Sequence, residues 1–406
     1  MNNVGVTAVS CSPSVPGLPQ DRSRESERLL RIALERALER IADRELDAIR
    51  AAELRGERPT FGDVLEHYRA TRFLYSAKLE QLGPRISAIE ATWNRLIVAD
   101  GAVFKIFRRH LIEDDRLVTG TSICAFEYAP SCWLVQHLVS ARRHELTGTL
   151  AVCLGMASWV GRTSADAALR FTYRDSNPGV ARLFGSFDRF LPDICLETRR
   201  CAYALLDPGH ADPGVELPSG VTIAEVDRRL APAVVAFYQR LGHRVGVRAL
   251  HLDDPHAPEL AERYRRHGLE RRRRVLAALR GDRVVGAVVC HESSPGINFS
   301  FFENAIELLE VEPELQEPAG RAILKHLVSS ALRGRQLPSE VPVALLCDLA
   351  RAPLARAAEL LPEAPKEYII LTMRLADGGQ EAVRRALLHH YRELFTEVAA
   401  ADGAGS

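Results

Sequence analysis

Net charge is missing from this chain of 406 residues, in which 53 Lys and Arg balance 53 Asp and Glu. Nothing in that total draws in nucleic acid or an anionic membrane surface. No apolar stretch reaches the roughly 18–20 uninterrupted residues of a membrane span, and the nearest, 146–160, fits a core helix. The eight cysteines lie singly, without a Cys-x-x-Cys pair. They therefore read as small buried hydrophobes of a reducing compartment rather than as a disulfide frame or a zinc site. His-Glu-x-x-His spacing, a Walker loop, a dinucleotide fingerprint and a Ser-His-Asp order are all absent, so no metal is expected. Residues 1–21 lack the basic start and apolar block of a secretory signal and are punctuated by Ser, Pro and Gly. They read as a disordered lead, and the expected location is cytoplasmic.

What the chain does have is a repeat. Two stretches about 170 residues apart run through the same order of elements. In the later copy a strand over 274–280, a Gly-Asp turn and a second strand to Cys290 form a hairpin. An apolar run over 305–311, a Pro/Gly break and a helix over 320–332 follow. The earlier copy has strands over 95–107 and 116–126 around Asp114-Asp115, a third run over 133–139 and a helix near 148–160. Each copy then adds a strand (168–174; 341–348), a helix and a last strand (198–206; 368–375). The constant offset points to one α/β unit used twice.

Around this repeat the chain divides into a helix over 22–59, a first domain over 60–207, a Pro/Gly-rich linker over 208–220, a second domain over 221–376 and a helix and tail over 377–406. A further helix over 61–81 leads into the first copy, and helices over 231–241 and 257–267 into the second. Leu30, Leu34, Leu38, Ile41 and Leu46 share a stripe of the first helix. Docking on its own domain is the leading expectation for that stripe; homodimerisation through the terminal helices is the lesser alternative, because the heptads do not persist.

A hairpin, a third strand, a helix opening at a Gly-bearing turn, then strand, helix and strand resembles the GCN5-related N-acetyltransferase (GNAT) superfamily, over about 300 residues. The resemblance implies two tandem GNAT-like domains, each a mixed, mostly antiparallel sheet flanked by helices. It also implies acetyl-CoA or a longer acyl-CoA as co-substrate and transfer of the acyl group to a small-molecule amine. In that superfamily a Gln/Arg-x-x-Gly-x-Gly/Ala turn holds the cofactor's diphosphate on backbone amides at a helix start. Here the matching turns are Arg143-His-Glu-Leu146-Thr-Gly148, followed by Thr149, and Glu317-Pro-Ala-Gly320-Arg321-Ala322. The first keeps Arg and Gly but has Leu146 in place of the first Gly; the second keeps Gly320 but begins with Glu. Asn177 matches the residue that meets the pantetheine arm, while Phe184 stands where the superfamily has a proton-donating Tyr. Any acid must then be another group, and Tyr173 is the nearest.

Amine acylation also calls for a base, and His137, in the third apolar run, is the candidate. The first copy therefore carries the expected chemistry: His137 and Tyr173 as catalytic residues and Arg143, Gly148, Thr149 and Asn177 on the cofactor, with Gly320 and Arg321 the second copy's counterparts. The alternative is a non-catalytic acyl-CoA sensor or protein-interaction scaffold. In the second copy alternation puts Glu303 and Glu307 on one strand face and Glu310 and Glu312 on the other, as a solvent-facing acidic edge. Arg271-Arg-Arg-Arg274 reads as solvated surface, and Asn298-Phe-Ser-Phe-Phe302 as core packing or the lining of an acyl pocket.

Overall fold

Runs of Val, Ile, Leu and Phe separated by short polar turns fold here as strands, because β-branched and aromatic side chains pack well on a pleated surface. The computed structural model describes residues 58–403 apart from 114–115, 142–145, 207, 338–340 and 377, together with short stretches between 29 and 51. The expected lead over 1–21 lies outside the described residues.

Between residue 58 and the first hairpin lie α1 (Phe61–Ala70), α2 (Ser76–Leu82) and α3 (Ile86–Val98). The expected single helix over 61–81 is broken near Arg72, which adopts φ +57°, and residues 95–98, expected as strand, end α3. β1 (Phe104–Glu113), β2 (Arg116–Ala129), β3 (Cys132–Ser140), α4 (Leu146–Gly161), β4 (Ala168–Tyr173), α5 (Pro178–Phe184) and β5 (Leu196–Leu205) complete the first unit. The second contains β6 (Val221–Glu225), α6 (Ala231–Arg240), α7 (Arg244–Ala249), α8 (Pro258–Arg265), β7 (Arg271–Arg280), β8 (Arg283–Ser293), β9 (Ala305–Val311), α9 (Glu317–Arg333), β10 (Ala344–Asp348), α10 (Ala352–Ala357) and β11 (Lys366–Arg374). α11 (Gly379–Gly403) follows.

The eleven strands of the described residues form one sheet in the order β1-β2-β3-β4-β11-β5-β10-β9-β8-β7-β6. The last strand of each unit has crossed into the other: β11 pairs antiparallel with β4, and β5 antiparallel with β10. At the centre β5 and β11 pair with each other, and the register reads alike in both directions about Cys201↔Tyr368, with Lys366↔Tyr203 on one side and Ile370↔Arg199 on the other. The sequence repeat is thus an approximate two-fold axis of the sheet. Each β3–β4 and β9–β10 pair is parallel, and each joins through a crossover helix, as parallel neighbours require.

One core crosses the seam. Phe61, Tyr68 and Trp93 of the first unit and Phe237, Tyr238 and Tyr264 of the second belong to a single apolar cluster on one face of the sheet. Full burial of a large apolar side chain such as Phe104 contributes about 1.5–3 kcal/mol. The other face carries two cores: one under α4 and α11, the other under α9 and α10. Leu38, Leu46 and Ile49, from the helical stretches before residue 52, pack into the α4 core, while Ile41 is exposed. That part of the stripe docks on its own first unit, whereas Leu30 and Leu34 lie outside the described residues.

Two expectations about charge are overturned. Arg271, Arg273 and Arg274 are buried. Their guanidinium groups donate to backbone carbonyls, Arg271 to Glu303 at 2.9 Å, Arg273 to Pro255 at 3.1 Å and His251 at 3.0 Å, and Arg274 to Ala331 at 2.7 Å. Long guanidinium stems at a sheet seam satisfy loop ends that have no strand partner. Glu303, Glu307, Glu310 and Glu312 are buried as well. Leu308 adopts φ +51° at a bulge, so Glu307 and Glu310 project toward the same face and strict alternation fails.

Among the described residues no helix is long and apolar enough to cross a membrane, and no group of three His, Cys, Asp or Glu is placed to hold a metal ion. Seven cysteines are buried thiols; Cys11 lies outside the described residues.

Candidate functional site

A bulge in β3 mirrors the one at Leu308. His137 has φ +54°, and the β2–β3 register shifts beside it. β3 and β4 stay paired up to Val135↔Phe171 and then part; in the second unit pairing runs one residue further, to Leu346↔Glu307. Gln136 thus occupies in the first unit the place that Glu307 holds in the second.

The two partings differ in what fills them. The first opens onto a cleft of about 690 Å³ lined by Gln136, His137, Thr172, Arg174 and Asn177. Its walls come from α1–α2 (Phe73 to Gln81), the 298–302 loop of the second unit, the end of β5 (Tyr203 to Leu205) and the start of β11. The strand exchange therefore builds this cleft from both units.

The second parting is closed. Glu310 accepts from His243 Nε2 at 3.1 Å and from Arg351 Nε at 2.9 Å. Glu197, at the start of β5, accepts the Val245 and Gly246 amides at 3.0 and 2.9 Å and caps α7 beside His243. Burial opposes charge on all three, but their mutual hydrogen bonds win: His243 is raised above the ordinary imidazole value, and Glu197 and Glu310 are lowered.

Between the partings lies a buried charged knot. Glu307 accepts from Arg170 at 3.1 Å, from the Tyr128 hydroxyl at 2.9 Å and from His291 Nε2 at 2.9 Å, with a second Arg170 nitrogen on its other oxygen. Arg271 donates to His291 Nδ1 at 3.0 Å, which fixes the imidazole as the neutral tautomer that donates to Glu307. Burial brings His291 down to about 3, and although burial alone would raise Glu307, Arg170 and His291 hold it well below the usual carboxylate range.

The residues singled out from sequence are not all gathered in the cleft. His137 is there, sandwiched between Trp93 (5.8 Å, 8°) and Phe299 (4.7 Å, 28°), with Nδ1 3.3 Å from the Tyr68 hydroxyl. Burial, helped by the charge of Lys78, brings it down to about 3, so the imidazole stays neutral. Asn177 is at the cleft too, and its side chain caps α5 by accepting the Val180 amide at 3.4 Å. Tyr173 points to the opposite face of the sheet, into the α4 core beside Phe171 and Phe184. The structure does not bring it to His137. Gly148 is buried in the first turn of α4, Thr149 follows it, and Arg143 lies outside the described residues.

In the second unit the matching turn is already helical. α9 starts at Glu317, Pro318 has no amide hydrogen, and the Gly320 amide donates to the Gln316 carbonyl at 3.0 Å. A Cβ on Gly320 would sit 3.2 Å from Leu354, so this glycine serves packing against α10, and Arg321 is exposed.

Sequence reading missed Gln136, Thr172, Lys78, Lys366, Tyr203 and Tyr368, which come from five separate elements and share no local motif. Of the aromatic stretch it flagged, Asn298, Phe299, Ser300 and Phe302 line the cleft. Beneath it Glu303 is fully buried; burial raises it to about 7, Oε1 accepts the Gly296 amide at 2.8 Å and Oε2 has no partner among the described residues.

No family model and no curated protein sequence matches the chain. Solved structures similar to it include a tandem GNAT protein from the clavulanic acid biosynthesis pathway, at 13% identity over 69% of this chain and 87% of that one, with a TM-score of 0.37. A GCN5-related N-acetyltransferase from Sphaerobacter thermophilus is 17% identical over 76% of this chain and 92% of that one, with a TM-score of 0.39. A GCN5-related N-acetyltransferase-like protein from Streptococcus suis is 13% identical over 76% and 99%, with a TM-score of 0.34. Twice over, a hairpin and a bulged strand lead through a crossover helix to a parallel strand that parts from it, and then to a final strand. The chain is thus a tandem of two copies of one α/β unit joined in a single mixed sheet.

Proposed function

We propose that the chain is an acyl-CoA-dependent N-acyltransferase that works in its first unit, with the thioester entering between β3 and β4 and a small-molecule amine held in the cleft. The supporting observation is the asymmetry of two equivalent partings: one opens onto about 690 Å³ of space, the other is filled by Glu197, His243 and Glu310. From Gln136 onward the edge of β3 that faces β4 has no strand paired with it among the described residues, so its backbone groups can pair with the amides of a pantetheine arm. The start of α4 at Leu146 to Thr149 offers amides and the positive end of a helix to the diphosphate. Asn177 stands at the mouth beside the arm.

The transfer joins the neutral acceptor nitrogen to the thioester carbonyl carbon and breaks the C–S bond; the nitrogen sheds one proton to water, and the leaving thiolate takes one up. His137 serves as a neutral positioning group, since at about 3 it does not hold a proton near neutrality. Orientation then supplies most of the acceleration, and the rate rises with pH up to the acceptor's own pKa. Calorimetric titration with coenzyme A, acetyl-CoA and longer acyl-CoA, followed by thiol release over an amine panel, tests this. Binding with amine-dependent thiol release supports it; no binding of any thioester overturns it.

One observation favours the second reading, a non-catalytic acyl-CoA sensor or scaffold: His137 and Tyr173 face opposite sides of the sheet. Thioester binding without thiol release would select it.

A further inference from the structure

Among the described residues three cations and no carboxylate line the cleft: Lys78 of α2, Arg174 just past β4, and Lys366 at the start of β11. In a chain with 53 residues of each sign this is a local excess. Among the described residues none of the three has an ion-pair partner. The contacts of Lys78 are a hydrogen bond to Gln81 at 3.3 Å and the Phe301 ring at 5.7 Å. Burial first, and then the like charge of Lys366, bring Lys78 down to about 8; buried Glu303 works against this as the smaller influence. Lys78 is half-buried and Lys366 is exposed on the same cleft; their like charges repel, and an anion placed between them relieves that repulsion. Next to them Tyr203, Phe302 and Tyr368 pack edge to face or tilted, with ring centroids 5.2–5.8 Å apart, and both tyrosine hydroxyls turn to Ser300. Their ring bodies form an apolar wall beside the charged one.

We propose that the substrate held in this cleft carries an anionic group, carboxylate or phosphate, seated between Lys78 and Lys366, with its apolar body against the Tyr203, Phe302 and Tyr368 rings. Calling that substrate the amine acceptor rests on the acyl-transfer reading; the anion site itself rests on the cleft's geometry. Reductive methylation of the native chain, with the modification of Lys78 and Lys366 read by peptide mass spectrometry, gives a test that needs no turnover. The probes are 3-phenylpropanoate, phenyl phosphate and the neutral 3-phenylpropanamide. At ten times its Kd, the better of the two anions slows labelling of both lysines by about tenfold, the amide has no effect, and Lys366→Met removes the protection at Lys78. Which anion protects more identifies the head group. Equal labelling with anions and amide overturns the proposal. So does protection by coenzyme A that displaces the anions, because the site then belongs to the cofactor. The two readings fail separately: protection by the anions without any thioester binding leaves the anion site and removes acyl transfer, and thioester binding without protection does the reverse.

Discussion

Replacing Glu307 by Gln removes one negative charge from the middle of the sheet and little else, since the side chains are nearly the same size. Glu307 is fully buried and Arg170 almost so, at 4% side-chain exposure. With the carboxylate gone, the Arg170 guanidinium is left without a counter-charge, and removing one partner of a buried pair costs about 3–5 kcal/mol. A folded domain has only about 5–15 kcal/mol in total, so Glu307→Gln should move the urea midpoint far down with an unchanged slope. Replacing both partners by apolar residues, Arg170→Met with Glu307→Leu, should cost much less than the sum of the single changes, because no charge is then stranded. Equilibrium urea unfolding of the native chain, Glu307→Gln, Arg170→Met, Glu307→Leu and the double variant, followed by tryptophan fluorescence, measures both effects. A loss under about 1 kcal/mol for Glu307→Gln, or strict additivity across the cycle, would refute the picture of a tightly coupled buried pair. The pair is present at neutral pH: with the Glu307 pKa depressed, its contribution holds above the ordinary carboxylate range and is lost only as acid reaches the lowered folded value.

His243 behaves with the opposite sign. Its folded pKa is raised, so its contribution is complete below the ordinary imidazole value and fades as pH rises through the folded one; a urea-midpoint series from about pH 5.5 to 8.5 should flatten in His243→Gln. Exchange of β5 and β11 makes each unit incomplete without the other, so a chain nicked by protease within 212–219 should still elute as one particle and unfold in one transition; halves that separate on a sizing column would contradict the exchange. Gly296 has φ +85° and a Cβ there would lie 2.4 Å from Ile89, so Gly296→Ala should cost about 1–3 kcal/mol by chemical denaturation. Gly281→Ala, at φ +60° with open space around it, should cost about 1 kcal/mol from backbone strain alone.

The hairpins, crossover helices and repeat are legible in the sequence because they follow from local periodicity and turn residues such as Gly281-Asp282. The crossing of β5 and β11 is not, since pairing partners such as Cys201 and Tyr368 leave no local pattern that distinguishes them from strands kept within their own unit. The paired bulges were equally hidden. His137 and Leu308 are ordinary strand residues by type, yet the bulges at their positive φ angles bring His137 and Glu310 onto the same face as Gln136 and Glu307 and undo the alternation expected of Glu303 to Glu312. The arginine run misled for a related reason: four charges in a row signal solvent unless a seam rich in unpaired carbonyls absorbs them, as it does for Arg271, Arg273 and Arg274. Of the residues lining the cleft, His137, Asn177 and the 298–302 stretch stand out in the sequence. Lys78 and Lys366, 288 positions apart in the chain, meet only once the fold is complete.

Titration calorimetry of acetyl-CoA and a longer acyl-CoA on the native chain and on Thr172→Trp, which would place an indole where β4 parts from β3, tests the asymmetry most directly. One site per chain, lost in Thr172→Trp with the far-ultraviolet circular dichroism unchanged, is the result expected of one open and one closed unit. Two sites per chain, or binding untouched by the tryptophan, would contradict it.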